Sequence, residues 1–360
     1  MKNMLGPKFF LWLDGRYNLE PIKNLILHKK VPVHKHTLWY YMGGVTLFLF
    51  FIQLATGILL LMYYQPGENN AYESLKFILI KVKFGWLIRN LHAWSANLMI
   101  FFAFVHMFSV FFTRAYKNPR ELTWVSGFIL LVLGMAFGFS GYLLPWNELA
   151  FFATKVGTDI AGAVPFVGEE LKIILRGGED VTGATLSRFF GFHVAILPAI
   201  FTIFLIIHLL MVQRQGMSEP EFFKNLPEGK KKYISFVPDF AMRDFFLWLL
   251  VFYLLLFLTV FYQWELGLKA NSLASAPAGI KPEWYFMFMF QSLKILPPHI
   301  LFLEGETFGV LFFSAAGLFW MIIPFIKFKN KLLSKQSFMR YFGILVVLFI
   351  IIMTVIGYLE

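Results

Sequence analysis

Seven stretches of the chain stay apolar long enough to cross a bilayer, and polar residues gather between them. They lie at about 38–64, 92–113, 123–145, 188–212, 244–264, 306–326 and 340–358, each close to the roughly 20 residues a spanning helix needs. A segment in hydrocarbon must satisfy its own backbone hydrogen bonds, so helices are the expected element. The pattern therefore predicts an all-α integral membrane protein with seven spans. Two connections, 147–187 and 265–305, are long and mixed in character. Long loops on compact proteins usually carry function, and both are expected to contain short surface helices. The opening thirty residues, from "MKNMLGPKFF" to "LILHKK", lack the layout of a signal peptide. They read as a basic amphipathic arm lying on a membrane face.

Composition agrees and adds direction. Of the 360 residues 58% are hydrophobic and 15% charged, with a mean hydropathy of +0.66; soluble domains carry about 25% charged residues. With the N-terminus inside, the inner segments hold 21 Lys and Arg and the outer segments 11, which is the whole complement of 32. That bias predicts a cytoplasmic N-terminus and an outer C-terminus, in a membrane of the bacterial cytoplasmic type. The net charge of +11 is thus first a topology signal. No basic face is interleaved with stacking aromatics in a soluble module, so nucleic acid is not an expected partner. There is no cysteine, which excludes disulfides, thiolate metal sites and any thioether-attached haem.

Histidines supply the chemistry. His92 and His106 lie fourteen residues apart in the second span, and His193 and His208 fifteen apart in the fourth. At about 100° per residue, fourteen steps return to within roughly 40° of the start and fifteen to within roughly 60°, with about 21–22 Å of rise between them. Alternating topology runs these two spans in the same direction, so His92 should face His193 toward the outside and His106 should face His208 toward the inside. A lone intramembrane histidine is commonly a hydrogen-bonded core residue or a proton relay. Two pairs at matching depth instead suit bis-imidazole ligation of two non-covalent, low-spin b haems, each six-coordinate and closed to oxygen.

Other residues fall around this frame. Gly43 and Gly57 in the first span, and Gly127 and Gly141 in the third, are also fourteen apart, with Gly44, Gly134 and Gly138 beside them. Such glycines let a macrocycle edge approach a helix, although small residues also serve ordinary helix packing in lipid. Arg89, Arg120 and Arg188 stand at membrane boundaries, where they would pair haem propionates or snorkel. The organisation expected is an arm at 1–37 on the cytoplasmic side, a four-helix di-haem bundle at 38–212, a linker at 213–243, and three further spans at 244–360.

The segments "FGWLIRNLHAWSANLM", "NPRELTWVSG", "SGYLLPWNE", "RFFGFHVAILPAI" and "PEWY" resemble cytochrome b of the quinol-oxidising cytochrome bc and b6f complexes, in order and over nearly the whole chain. The fifteen-residue spacing and seven spans are similar to the b6-plus-subunit-IV form, here in one polypeptide. "FVPDFAMRD" is similar instead to the mitochondrial-type pattern. One departure stands out: the b6 type tethers an additional haem through a cysteine at the position of Tyr41, and this chain cannot.

The resemblance implies quinol oxidation at the outer face and quinone reduction at the inner face. Outside, Glu283 of "PEWY" would accept a quinol proton beside Trp284, Tyr285 and Phe286, with Tyr142 and the segment near Asn147 lining the pocket; taken alone, Glu283 would read as a solvated loop carboxylate. Inside, Arg243 and Asp244 open the fifth span near His208, with Arg214 as a further quinone or propionate contact; by itself the first pair would read as a helix start. The mechanism implied is a Q cycle: one electron goes to a Rieske iron–sulfur protein, the other through two haems to the inner quinone site, coupled to proton translocation. A Rieske protein, a cytochrome c-type subunit or acceptor and a second copy of the chain are the implied partners, since this chain has no cluster ligands of its own. A passive di-haem anchor of another quinone-linked oxidoreductase would share the histidine pairs but needs neither "PEWY" nor three extra spans.

Overall fold

The computed structural model describes residues 7–21, 29–326 and 336–360. The remainder of the expected arm, and the basic residues between 327 and 335 counted to the inner side, lie outside the described residues. Seven helices are long and apolar enough to cross a membrane. The fold is therefore the all-α, seven-span membrane architecture that the hydropathy pattern predicts.

The helices are α1 (Pro7–Tyr17), α2 (Met42–Leu61), α3 (Ala71–Ile80), α4 (Gly85–Phe112), α5 (Glu121–Tyr142), α6 (Glu148–Gly162), α7 (Gly168–Arg176), α8 (Gly183–Gly191), α9 (Leu197–Gln215), α10 (Glu221–Lys224), α11 (Ala241–Phe261), α12 (Trp284–Ile295), α13 (Gly305–Ile322) and α14 (Gln336–Leu359). The spans are α2, α4, α5, α8 continued into α9, α11, α13 and α14. Several begin earlier than hydropathy suggested. Helix α4 starts at Gly85 rather than 92, because "GWLIRNL" continues the helix past the hydrocarbon and carries Arg89 and Asn90 with it. The fourth span runs from Gly183 to Gln215 without a break.

That continuity has a local cause. Pro198 offers no N–H to the turn before it, and its ring crowds the carbonyl four residues back. The chain answers with a π turn at Phe192–Ile196, whose Leu197 N–H reaches back to the Phe192 carbonyl. The wider turn takes up one extra residue. It lies at His193, so the fifteen-residue step to His208 acts as the fourteen-residue step of α4 does, and both pairs keep one face.

The two faces of the bundle, called inner and outer after the orientation that the charge bias predicts, are closed by different means. At the inner face, strand β1 (Lys30–Pro32) pairs antiparallel with β2 (Tyr233–Ser235), Val31 opposite Ile234, and ties the segment before α2 to the loop before α11. Val31, Tyr41, Met42 and Phe240 are buried together there. At the outer face both long connections contain helices: α6, α7 and α8 in one, α12 in the other. Asn147 caps α6 by accepting from Ala150 N–H at 2.8 Å, and its amide donates to the Leu266 carbonyl at 2.7 Å. Glu148 N–H donates to the Leu268 carbonyl, and Ala270 N–H to that of Trp146. The two outer loops are thereby joined into one layer. Beneath it Leu143, Trp146, Phe151, Leu186 and Phe189 form an apolar floor.

Candidate functional site

The histidines meet as their spacing requires. The rings of His92 on α4 and His193 on the fourth span lie 6.2 Å apart between centroids, at an interplanar angle of 73°. That suits two rings whose nearest nitrogens share one metal at roughly 2 Å each. His106 and His208 lie close enough to act on one another electrostatically, at the other end of the same two spans.

Each imidazole rests against a glycine of a neighbouring span. A Cβ added at Gly57 would come within 3.3 Å of His92 Cε1, at Gly141 within 2.7 Å of His193 Cε1, at Gly43 within 3.0 Å of His106 Cε1, and at Gly127 within 3.1 Å of His208 Cε1. The four glycines expected to admit a macrocycle edge thus make room in the first place for the four rings. Gly44 does something else: a Cβ there would run into the Asp244 carboxylate. Gly138 clears the Tyr285 hydroxyl, and Gly134 has nothing within 4 Å.

Hydroxyls complete the arrangement, and the sequence reading passed over them. Thr56 Oγ1 lies 2.9 Å from His92 Nδ1, Ser140 Oγ 3.1 Å from His193 Nδ1, and Ser126 Oγ 2.9 Å from His208 Nδ1. Each hydroxyl also donates to a carbonyl of its own helix: Thr56 to Ile52 at 2.6 Å, Ser140 to Phe137 at 3.1 Å, and Ser126 to Thr123 at 3.0 Å. A hydroxyl has one proton to give. Its proton spent on the carbonyl, the oxygen accepts from the ring, so Nδ1 carries hydrogen and Nε2 keeps a free lone pair. This is the tautomer that binds a metal through Nε2 while the other nitrogen is held by the protein. Four glycine pairings and three tautomers, with the ring spacing of the His92–His193 pair, fit a metal-centred planar group at each histidine pair.

The boundary arginines are engaged with backbone. Arg89 donates to the Trp264 carbonyl and, at 3.3 Å, to Asn90 Oδ1. Arg120 donates to the Gln215 carbonyl at 3.1 Å, and Arg188 to that of Ile174. Arg214, at the end of α9, is exposed and makes no hydrogen bond among the described residues.

At the outer face Glu283 sits at the N-terminus of α12. Burial pushes its carboxyl up from the usual 4.5 to about 6. Tyr142 from the end of α5, Tyr285 and Tyr358 share its electrostatic neighbourhood, and burial first, then those charges, pushes the Tyr285 phenol well above its ordinary value. Trp284 is fixed by its indole N–H, which donates to Asn97 Oδ1 at 2.9 Å, and Phe286 packs edge-on to Phe139. The "PEWY" residues and Tyr142 are therefore brought together, as expected. Tyr358 of α14 joins them, which nothing in the local sequence signals.

At the inner face Asp244 lies over Gly44, and Arg243 lies beside Tyr41. Tyr41 stacks on Phe240 at 4.3 Å between centroids and 9° between planes. The Tyr41 hydroxyl, Asp244 Oδ1, His106 Nδ1 and the Trp248 indole nitrogen are all buried without a hydrogen-bond partner among the described residues. Tyr41 and Trp248 are further residues of this site that sequence reasoning did not assign to it.

Comparison with known proteins gives the family. Residues 27–216 match the family model Cytochrome b/b6/petB, and residues 269–360 match Cytochrome b(C-terminal)/b6/petD. A cytochrome bc complex cytochrome b subunit of Chlorobaculum thiosulfatiphilum is 49% identical over 97% of this chain and 80% of its own length. Cytochrome b6 of Cyanidium caldarium is 45% identical over 59% of this chain and 99% of its own length. Among solved structures, a chain of a hyperthermophilic respiratory Complex III superposes with a TM-score of 0.79 at 28% identity, covering 97% of this chain and 98% of that one. The chain belongs to the cytochrome b/b6 family of bc-type complexes, with its b6-like and subunit IV-like parts fused in one polypeptide.

Proposed function

We propose that this chain is the di-haem, quinone-handling subunit of a quinol:cytochrome c or related acceptor oxidoreductase. His92 with His193, and His106 with His208, would hold two non-covalent b haems, which when bound supply a one-electron path between the two faces. The observation that carries this reading is the repeated unit of hydroxyl, glycine and imidazole, which fixes Nε2 as the free ligand nitrogen. Residues 38–212 would form the di-haem bundle and 244–360 its three-span companion, joined by 213–243, with the arm at 1–37 on the cytoplasmic side.

At the outer face the chain would bind quinol against Tyr142, Trp284 and Tyr285. A carboxyl near 6 is mostly ionised at neutral pH yet basic enough to take a proton, so Glu283 can accept a quinol proton and pass it to water. The inner pocket would bind quinone between Asp244, Arg243, Tyr41 and Trp248, with Arg214 at its edge and Asp244 as proton donor. Arg89, Arg120 and Arg188 would hold their loops, and with a small rotation pair haem propionates. Moving one charge against a membrane potential costs about 2.3 kcal/mol per 100 mV, so inward transfer coupled to opposed proton release and uptake would conserve energy as a Q cycle. This assigns a Rieske protein as first acceptor outside, a cytochrome c-type subunit beyond it, and a homodimer in a bacterial cytoplasmic membrane with the N-terminus inside.

The test is quinol-dependent reduction of acceptor by the purified complex carrying Glu283→Gln, measured beside its reduced-minus-oxidised b-haem spectrum. Two b haems retained with turnover lost supports the reading. Unchanged turnover would make the chain a passive di-haem anchor.

A further inference from the structure

Three of the four imidazoles are held by one dipeptide, a hydroxyl residue followed by the glycine under the ring: Thr56–Gly57, Ser126–Gly127 and Ser140–Gly141. The fourth is not. His106 lies over Gly43, but the residue before that glycine is Met42, and His106 Nδ1 is buried with no partner among the described residues. From a Cβ placed on Gly43, Nε2 of His106 is nearer than Nδ1, 3.3 against 3.4 Å. At Gly141 the order is reversed, with His193 Nδ1 at 3.1 Å and Nε2 at 3.4 Å. At Gly57 and Gly127, Nδ1 is again the near nitrogen.

We propose that Met42 is a positioning residue that raises the reduction potential of the inner haem by withholding a hydroxyl from His106. The proposal rests on the bis-histidine reading given above. A hydrogen bond accepted from Nδ1–H pushes electron density toward Nε2 and makes the imidazole a stronger donor. A stronger axial donor favours ferric over ferrous iron, and hydrogen bonding around the ligands is one of the protein's levers on haem potential. The outer pair has two such bonds and the inner pair one. With both haems bound, the missing bond at His106 would favour electron transfer toward the inner site. Arg89 beside His92 acts on the outer site in the opposite sense. The decisive comparison is therefore between variants at the inner site, not between the two sites.

The experiment is a redox titration of the purified complex, following each b haem by its absorption band, with low-temperature electron paramagnetic resonance of the ferric haems as a second readout. Met42→Ser restores a hydroxyl, Met42→Ala removes the same bulk without one, and Ser126→Ala removes the hydroxyl that the inner site already has. Met42→Ser should be about tenfold harder to reduce at the inner haem than Met42→Ala, which is ~59 mV for one electron. Ser126→Ala should shift that haem in the other direction, and the outer haem should not move in any of the three. Met42→Ser and Met42→Ala titrating together, with both haems present, would overturn the proposal. A wild-type complex lacking one of the two low-spin haems would instead overturn the bis-histidine reading beneath it.

Discussion

The outer and inner ends of this bundle are finished in opposite ways. At the outer end most buried polar groups are tied to protein. Arg176 is buried yet donates to Thr158, Asp159 and the carbonyls of Lys155 and Glu179, locking α6, α7 and the loop before α8 together. Trp284 is bonded to Asn97, and Asn147 bridges the two long loops. Toward the inner end six buried polar atoms, on Tyr41, His106, Arg114, Asp244, Trp248 and Trp320, have no partner among the described residues, against one, Thr259 Oγ1, toward the outer end. Each buried polar group left unmade costs about 1–3 kcal/mol. The outer site is thus preorganised by its own loops, while the inner pocket concentrates groups that a polar ligand would satisfy. Quinol oxidation requires a fixed proton acceptor and a water-excluding wall. Quinone reduction requires donors free to turn toward two carbonyl oxygens.

The largest effect expected comes from the ligands. His193→Leu should remove the outer low-spin haem and leave the inner one in the difference spectrum, and His208→Leu should do the reverse. Loss of both haems from either variant would mean that the two ends do not fold as separable sites.

Next in size is Glu283→Gln, with an expected fall in quinol oxidation on the order of 10²-fold, the lower end of general-base effects. The pH dependence has a definite sign. Glu283 accepts a proton only when ionised, and burial holds its carboxyl near 6. Wild-type turnover should therefore rise as pH increases through about 6, and the variant should lack that limb. A limb that persists in the variant would assign it to another group.

A glycine series measures the tightness of each ring's seat. Alanine at Gly141 places a Cβ 2.7 Å from His193, tighter than at Gly43, Gly127 or Gly57, where the approach is 3.0, 3.1 and 3.3 Å. Haem content measured by absorbance should fall in that order, with Gly57→Ala the mildest. The outer haem would then have both the most and the least tolerant seat.

Much of this was legible along the chain, and what was missed has physical reasons. Hydropathy placed seven spans because a bilayer allows few alternatives, and the histidine spacing paired the rings correctly. The fifteen-residue step in the fourth span looked about 60° out of register by ideal helix geometry, and only the π turn beside Pro198 shows how it is corrected. Thr56, Ser126 and Ser140 stood in plain view beside their glycines. They went unread because a hydroxyl within a span usually bonds its own helix, which these do as well. Gly44 was grouped with the haem glycines by adjacency, yet one step along a helix turns the side-chain position by about 100°, which takes it to Asp244. Tyr358 and Tyr41 join their sites from distant spans, and no local pattern announces such contacts; Trp248 stands one turn beyond Asp244 on the same helix, where the i, i+4 spacing could have found it.

The smallest expected effect sharpens the comparison most, because its sign should differ between the two ends. Trp284→Phe keeps the ring beside Phe101 and Phe104 but leaves Asn97 Oδ1 without its donor, so the complex should lose about 1 kcal/mol of stability. Trp248→Phe keeps the stack on Phe48, 5.3 Å away, and removes an indole N–H that faces the Asp244 carboxyl without a well-formed hydrogen bond. Without quinone this change should be neutral or slightly stabilising, since an unmet buried donor is taken away. With quinone bound, wild type should gain stability and Trp248→Phe should gain less, because binding to the native state adds stability in proportion to affinity. Thermal unfolding followed at the haem bands, with and without added quinone, reads both signs. Equal losses from the two substitutions in the quinone-free complex would mean that the inner donors are satisfied after all, and the contrast between the two ends would not hold.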